Sequence, residues 1–176
     1  MKKFGLVVIG AHSGIGLTSL FDEYKEKNIL LVEPVPYNIS LLKSNTDKYK
    51  NISIEASAIS EKSEIKKFYF VKPEAIKKLG KHWASEIGSF DKDHILNHNN
   101  KRFLVTQSDI EEVKIHYLTF SDLIIKYSIL SIDLLHIDVE GSEFAILNSI
   151  DFSKIEIKKI IFEFKHFDGT FKEGPK

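Results

Sequence analysis

The chain has 176 residues, 43% of them apolar, and its 25 Lys and Arg balance 25 Asp and Glu. A chain of this length forms a core without disulfides or structural zinc, and its lack of Cys excludes a thiolate nucleophile and a Cys-ligated metal. The net charge of zero argues against nucleic acid as the main partner, because that binding depends on an excess of Lys and Arg.

The N-terminal third of the chain alternates apolar strands with helices. Two short, continuous apolar runs are typical of parallel strands that are buried on both faces. The helix between them has apolar residues at helical spacing, and Asn28 is expected to end it in the left-handed conformation. Pro36 begins the next helix. The predicted elements are a strand at 6–9, a helix at 16–27, a strand at 29–32, a helix at 36–49 and a strand at 52–54.

The rest of the chain contains an irregular insertion at about 65–117, after which the α/β pattern returns. Within the insertion we expect strands at 65–71 and 113–117, separated by a polar stretch that resembles a mobile loop at 97–101. The repeated βα order predicts a doubly wound parallel sheet in a single domain over 1–176. The elements predicted after the insertion are a helix at 120–127, a strand at 134–139, a helix at 144–147 and a strand at 159–164.

A glycine-rich segment, Gly10-Ala11-His12-Ser13-Gly14-Ile15-Gly16, joins the first strand to the first helix. Glycines at this place permit a tight turn and let the backbone approach a ligand at the helix N-terminus. Glu33 stands at the end of the adjacent strand, where a carboxylate accepts both hydroxyls of an adenosine ribose. The pattern predicts a cofactor that contains a ribose.

The glycine loop by itself resembles that of short-chain dehydrogenases, which bind NAD or NADP. Those enzymes also carry a Tyr-x-x-x-Lys pair, whose Lys lowers the pKa of the Tyr for proton transfer. None of the six Tyr residues of this chain has a Lys four residues later. A dehydrogenase of this type would lack its acid, so we keep it as the alternative hypothesis.

Four motifs cover most of the chain. They are VVIGAHSG at 7–14, VEPVPYN at 32–38, LTFSDL at 118–123 and HIDVEGSE at 136–143. In order and spacing they resemble the successive motifs of the FkbM family of S-adenosylmethionine-dependent methyltransferases, and the last block is the most specific. The chain departs from the family at Val8, His12 and His136, where Asp, Asn and Lys are usual.

This resemblance implies an α/β fold with a Rossmann-like, doubly wound class I methyltransferase sheet of order 3-2-1-4-5, lacking the C-terminal antiparallel hairpin. It implies S-adenosylmethionine as the cofactor, with the loop backbone at the methionine part and Glu33 at the ribose. Ser57 and Ala58, in the expected turn after the third strand, would then lie at the adenine. It also implies that the methyl acceptor is a hydroxyl of a small molecule, sugar or glycan. The implied cofactor-binding residues are Gly10, Ala11, His12, Ser13, Gly14, Glu33, Pro34, Ser57, Ala58 and Asp138.

A hydroxyl acceptor needs a group that takes its proton. His136 and Asp138 are two residues apart on one predicted strand and therefore point to the same face, which predicts a catalytic His–Asp pair. The alternative for His136 is a half-buried strand residue with a satisfied ring. The other candidate bases are His12, His94 and His166.

A metal site is a second possibility at the same place. Asp138 with Glu140 or Glu163 offers the carboxylate oxygens that suit Mg²⁺, although no spacing in the chain is diagnostic of a metal. Glu143, in the first turn of a predicted helix, is expected to be a surface residue that the helix dipole favours.

The remaining expectations concern location and partners. No apolar stretch approaches the length of a membrane helix, so we expect a cytoplasmic protein without a membrane partner. Trp83 either covers a sugar face or anchors the core. The strand at 159–164, without a covering hairpin, is expected to pair with a second copy unless the chain is shortened. A non-catalytic remnant or partner subunit that binds S-adenosylmethionine is the other alternative.

Overall fold

The computed structural model describes residues 1–80, 82–85, 87–89, 91–100, 103–139 and 141–163, with only the backbone at 82 and 83. The chain divides into two compact units. The first comprises Met1–Glu64 and His116–Lys176, and the second is Ile65–Ile115. Glu140, Phe164 and His166, together with the side chain of Trp83, lie outside the described residues.

The secondary structure follows the chain as alternating strands and short helices. The strands are β1 (Lys2–Ile9), β2 (Asn28–Val32), β3 (Ile52–Glu55), β4 (Ser57–Ile59), β5 (Glu64–Val71), β6 (Gly88–Ser89), β7 (Ile110–Leu118), β8 (Ile129–Ile137) and β9 (Glu156–Phe162). The α-helices are α1 (Thr18–Tyr24), α2 (Pro36–Thr46), α3 (Pro73–Leu79), α4 (Lys92–Asn97), α5 (Phe120–Tyr127) and α6 (Glu143–Asn148). Single 3₁₀ turns occur at Ile15–Leu17, His82–Ser85 and Gln107–Asp109. No helix in the described ranges has the length and apolar character needed to cross a membrane.

The first unit is built on a parallel sheet of order β3-β2-β1-β8-β9. The order 3-2-1-4-5 expected for its strands is confirmed. In register, Ile9 pairs with Val32 on one side and with Ile137 on the other, so three strands end at the same level. The residues that follow these strands therefore share one edge of the sheet, which is where open α/β sheets bind ligands.

Helices cover both faces of this sheet. Alternate residues of a strand point to opposite faces, and those of β1 divide accordingly between two apolar clusters. Leu6 and Val8 belong to the cluster that contains Phe21 of α1 and Leu42 of α2. The opposite cluster contains Val7 and Ile9 with Phe120 and Leu123 of α5 and Ile146 of α6. Burial on both sides explains why β1 and β2 are continuous apolar runs.

The structure corrects three boundaries predicted from the sequence. Asn28 does not end a helix: it begins β2, and its side-chain amide donates to the carbonyl of Lys3 at 2.8 Å. Ser57 and Ala58 belong to the short strand β4 rather than to a turn, because β4 pairs with β7, with Ser57 opposite His116. The strand predicted at 134–139 begins at Ile129 and ends at Ile137, so Asp138 follows the strand.

The second unit has an apolar core of its own. The strands predicted in the insertion correspond to β5 and β7, and β5 pairs antiparallel with β6. Helices α3 and α4 were not predicted, and Asn97 and His98, expected in a loop, form the end and C-cap of α4. The buried core residues of this unit are Val71, Ala75, Ile76, Ala84, Ile87, Ile95, Phe103, Val105 and Ile110.

Candidate active site

The loop after β1 begins at a glycine that no other residue can replace without a backbone shift. Gly10 has φ +85°, and an ideal Cβ there would lie 1.7 Å from the carbonyl oxygen of Asp138. The amide of Asp138 donates to the carbonyl of Ile9 at 2.9 Å. The connections that follow β1 and β8 are therefore in direct backbone contact at the carboxyl edge of the sheet.

The far end of the same loop is held by α2. Gly14 has φ +76°, and a Cβ there would lie 2.7 Å from Cδ1 of Leu42. The side-chain amide of Asn45 donates to the carbonyl of Ser13 at 2.8 Å. Between these points His12 adopts the left-handed conformation at φ +48°. The loop has a fixed shape that is imposed by residues distant in sequence.

Glu33 lies at the centre of this arrangement. Its carboxylate is buried, and it accepts the amide of His12 at 2.9 Å on Oε2. Its Oε1 accepts the amide of Val35 at 2.9 Å and the side-chain amide of Asn38 at 3.2 Å. Burial raises the pKa of Glu33, and the three hydrogen bonds oppose that shift. The residue predicted to bind the ribose thus braces the loops after β1 and β2.

The loop after β8 is braced by a second buried glutamate. Glu143, at the start of α6, is fully buried, and its Oε1 and Oε2 accept the amides of Val139 and Gly141 at 2.9 Å each. Gly141 has φ +109°, which shapes this turn. The expectation that Glu143 is a surface residue is wrong, because two backbone donors hold its carboxylate inside the loop.

Two histidines lie near the exposed carboxylate of Asp138. Burial lowers the pKa of His136 and also that of His12, and the charge of Asp138 opposes the shift in both cases. The Nδ1 atom of His136 is buried and has no hydrogen-bond partner among the described residues. Both imidazoles are therefore neutral near neutral pH, which is the form that accepts a proton.

Asp138 also belongs to a group of acids. The ligand atoms of Asp138, Glu143 and Glu163 lie within 4.8 Å of one another. Glu163 is one of the two residues considered in the sequence for Mg²⁺, whereas Glu143 was not. Both oxygens of Glu143 already accept backbone amides, so the geometry gives this carboxylate a structural role.

Comparison with known proteins identifies the family. A model of the FkbM methyltransferase domain matches residues 9–174. The chain belongs to the FkbM methyltransferase family. A crystal structure of methyltransferase FkbM from Methylobacillus flagellatus KT is similar at 16% identity with a TM-score of 0.43, over 84% of this chain and 28% of that chain. This chain thus spans less than a third of that protein's length. No curated protein matches it significantly.

In this FkbM domain the other predicted cofactor residues also lie beside the carboxyl edge of the sheet. Ser57 follows β3 by two residues, is fully buried, and its Oγ has no hydrogen-bond partner among the described residues. Ala58 and Pro34 are half-buried, and the amide of Glu33 donates to the carbonyl of Glu55 at 3.0 Å. The loops after β2 and β3 are therefore adjacent.

The residues of this FkbM domain that the sequence did not reveal are those whose side chains fix the loops around the site. Asn38 and Glu143 are the last residues of the motifs at 32–38 and 136–143, and Asn45 belongs to none of the four motifs, but no motif shows that these side chains hold the loops. A signal existed only for Glu143, because an acid that follows a glycine turn and begins a helix is placed to accept the preceding amides.

Proposed function

We propose that this chain is a cytoplasmic enzyme that transfers a methyl group from S-adenosylmethionine to a hydroxyl of a small molecule, sugar or glycan. We further propose that its sheet is the Rossmann-like sheet of a class I methyltransferase. The observation that carries this function is the match of the FkbM methyltransferase domain over 9–174. The two neutral histidines beside Asp138, next to a rigid glycine loop, support it.

The residues at the sheet edge fit the cofactor in chemical terms. There is no room for a side chain at Gly10, so the loop presents only backbone atoms to a ligand at that end. Glu33 Oε2 accepts one hydrogen bond from the described residues and each carboxylate oxygen has two lone pairs, so Oε2 retains capacity for a ribose hydroxyl. The buried hydroxyl of Ser57 has no hydrogen-bond partner among the described residues, so it is available for a hydrogen bond to a polar atom of the cofactor. The full proposed set is Gly10, Ala11, His12, Ser13, Gly14, Glu33, Pro34, Ser57, Ala58 and Asp138.

The catalytic work of the chain would be positioning and proton removal. S-adenosylmethionine supplies an electrophilic methyl group when bound. Asp138 follows β8, its side chain is exposed, and its proposed role is to orient the acceptor hydroxyl. His136 is held neutral by burial and can take the proton of that hydroxyl, with Asp138 stabilising the charge that develops.

Calorimetric titration of the full chain tests the cofactor. We expect S-adenosylmethionine to bind and NADH not to bind. A carboxylate hydrogen bond contributes ~1.5–3 kcal/mol, so Glu33→Gln should weaken binding by roughly one to two orders of magnitude. Glu26→Gln, at an exposed position of the same residue type, is the matched control and should bind normally. Binding of NADH alone would favour the dehydrogenase alternative.

Turnover tests the catalytic residues. With an acceptor found by screening hydroxyl compounds for release of S-adenosylhomocysteine, Asp138→Asn and His136→Gln should lower kcat by roughly 10²-fold or more. The Kd of S-adenosylmethionine should change little in His136→Gln, because that residue is proposed to act on the acceptor. Cofactor binding without turnover on any acceptor would support the non-catalytic alternative, and loss of activity in EDTA that Mg²⁺ restores would support a metal at Asp138.

The proposal extends to self-association through the sheet. Among the described strands β9 is bonded only to β8, and Ile161 on it is 37% exposed. Unpaired backbone groups at such an edge favour pairing with another strand. Sedimentation should then give a homo-oligomer, and a charged or Pro substitution in β9 should dissociate it. A monomer at high concentration would contradict this part of the proposal.

A further inference from the structure

Helix α4 of the second unit brings two histidine rings together. His94 and His98 are four residues apart in the sequence His94-Ile95-Leu96-Asn97-His98, so they lie on the same face of one turn. Their Nε2 atoms are 3.2 Å apart, and the ring centroids are separated by 4.9 Å at an interplanar angle of 65°. The two nitrogens thus approach each other directly.

The spacing of these nitrogens matches that of two ligands on one metal ion. Zinc binds imidazole nitrogen at about 2.0–2.1 Å, so two nitrogens on a tetrahedral ion are about 3.3 Å apart. The observed Nε2–Nε2 distance of 3.2 Å is close to this value. Two His residues at i and i+4 of a helix are also the pair with which zinc motifs bind their ion.

The two histidines differ in burial, as expected for ligands of an ion at the edge of an apolar core. His94 is only 3% exposed, and Ile95 beside it belongs to the apolar core of the second unit. His98 is half-buried at the C-cap of α4. One ligand therefore lies inside the core, and the other is partly accessible to an ion from solution.

We propose that His94 and His98 form a binding site for a late first-row divalent ion such as Zn²⁺, Ni²⁺ or Cu²⁺. Imidazole nitrogen favours these ions over Mg²⁺ and Ca²⁺, which prefer oxygen. The position after the first histidine is Ile95, not the glutamate that serves as the base in zinc hydrolases. Bound there, the ion joins the middle of α4 to its C-cap, in a helix of six residues that is too short to be stable alone.

Zinc titration of the EDTA-treated full chain tests the proposal at about pH 7.5, where histidine is neutral. We expect one Zn²⁺ per chain at this site, no competition by Mg²⁺, and at least about tenfold weaker binding in His98→Gln. His98 is the first choice because it is half-buried, whereas a change at the buried His94 could impair folding. His116→Gln, at an exposed histidine of β7, is the matched control and should bind Zn²⁺ as the parent chain does.

Nitrogen NMR separates this site from any other zinc-binding group on the chain. Added Zn²⁺ should shift the imidazole ¹⁵N resonances of His94 and His98, and thermal unfolding should move to a higher temperature in the parent chain but not in His98→Gln. If Zn²⁺ binds equally well to His98→Gln, or if these resonances do not move, the contact is a shared-proton hydrogen bond only and the proposal is wrong. This outcome is independent of methyl transfer.

Discussion

The connections after β1 and after β8 are both held by a buried carboxylate, but the carboxylate comes from a distant segment in one case and from the adjacent helix in the other. Each passes from a strand to a helix at one edge of the sheet, and each is braced by a buried glutamate that accepts backbone amides. Glu33 reaches the first loop from the end of β2, 21 residues away from His12. Glu143 belongs to the helix that its own loop enters, and its partners are two and four residues away.

The loop after β1 therefore depends on tertiary structure for its shape, whereas the loop after β8 depends on local sequence. The brace at Glu33 ties two loops and α2 together, so it forms only when β1 and β2 are paired. The brace at Glu143 can form as soon as α6 begins. The two loops meet where Gly10 lies against the carbonyl of Asp138, and substitutions at these points test the comparison.

The largest effect is expected where the two loops touch. Gly10→Ala places a methyl group against the Asp138 carbonyl at a positive φ, and we expect it to lower the free energy of unfolding by about 4 kcal/mol and to weaken S-adenosylmethionine binding. Gly16→Ala is the control: an added Cβ there meets nothing within 4 Å, so we expect a change within about 1 kcal/mol. Chemical denaturation measures both, and equal effects would show that the loops are not in contact.

The next effect compares the two braces directly. Glu33→Ala leaves three donors without their acceptor, and we expect a loss of about 3 kcal/mol in the free energy of unfolding. Glu143→Ala leaves two donors in a local turn, and we expect about 2 kcal/mol. Hydrogen exchange should show that Glu33→Ala exposes amides in the loops after β1 and β2, whereas Glu143→Ala exposes amides only in the loop after β8. A larger loss at Glu143 would reverse the comparison.

A smaller effect follows from the half-buried histidines near Asp138. The pKa of His136 is below its ordinary value of 6.5 in the folded chain, so the unfolded chain binds more protons in the interval between the two values. Stability should therefore fall as pH decreases through that interval, and His136→Gln should flatten this dependence. Denaturation at a series of pH values is the measurement, and an unchanged slope in His136→Gln contradicts the assignment.

The smallest effect on stability is expected at Asp138 itself. Its side chain is exposed, so Asp138→Asn should change the free energy of unfolding by less than about 0.5 kcal/mol. The same substitution removes the charge that raises the pKa of His12 and His136, so both pKa values should fall further. NMR titration of the two imidazoles measures this. If neither value moves, the histidines do not sense Asp138.

The elements of the first unit could be predicted from the sequence because their signals are local. A continuous apolar run indicates a buried parallel strand wherever it stands, and β1 and β2 contain the two runs; β3 appears where the alternation of Ile52 and Ile54 predicts a strand. The glycine loop carried its own signal as well, since φ is positive at Gly10 and at Gly14. The family motifs then indicated the strand order that the sheet has.

Which polar groups are buried, and which atoms they bind, could be learned only from the tertiary structure. The sequence placed Glu33 at the site but did not show that Val35 and Asn38 occupy its Oε1, and it placed Glu143 at the surface. The reason is physical: the sequence pattern reports the average environment of a residue type, and carboxylates are mostly exposed. Whether a particular one is buried depends on backbone donors that other segments bring to it, and only the assembled sheet edge provides them.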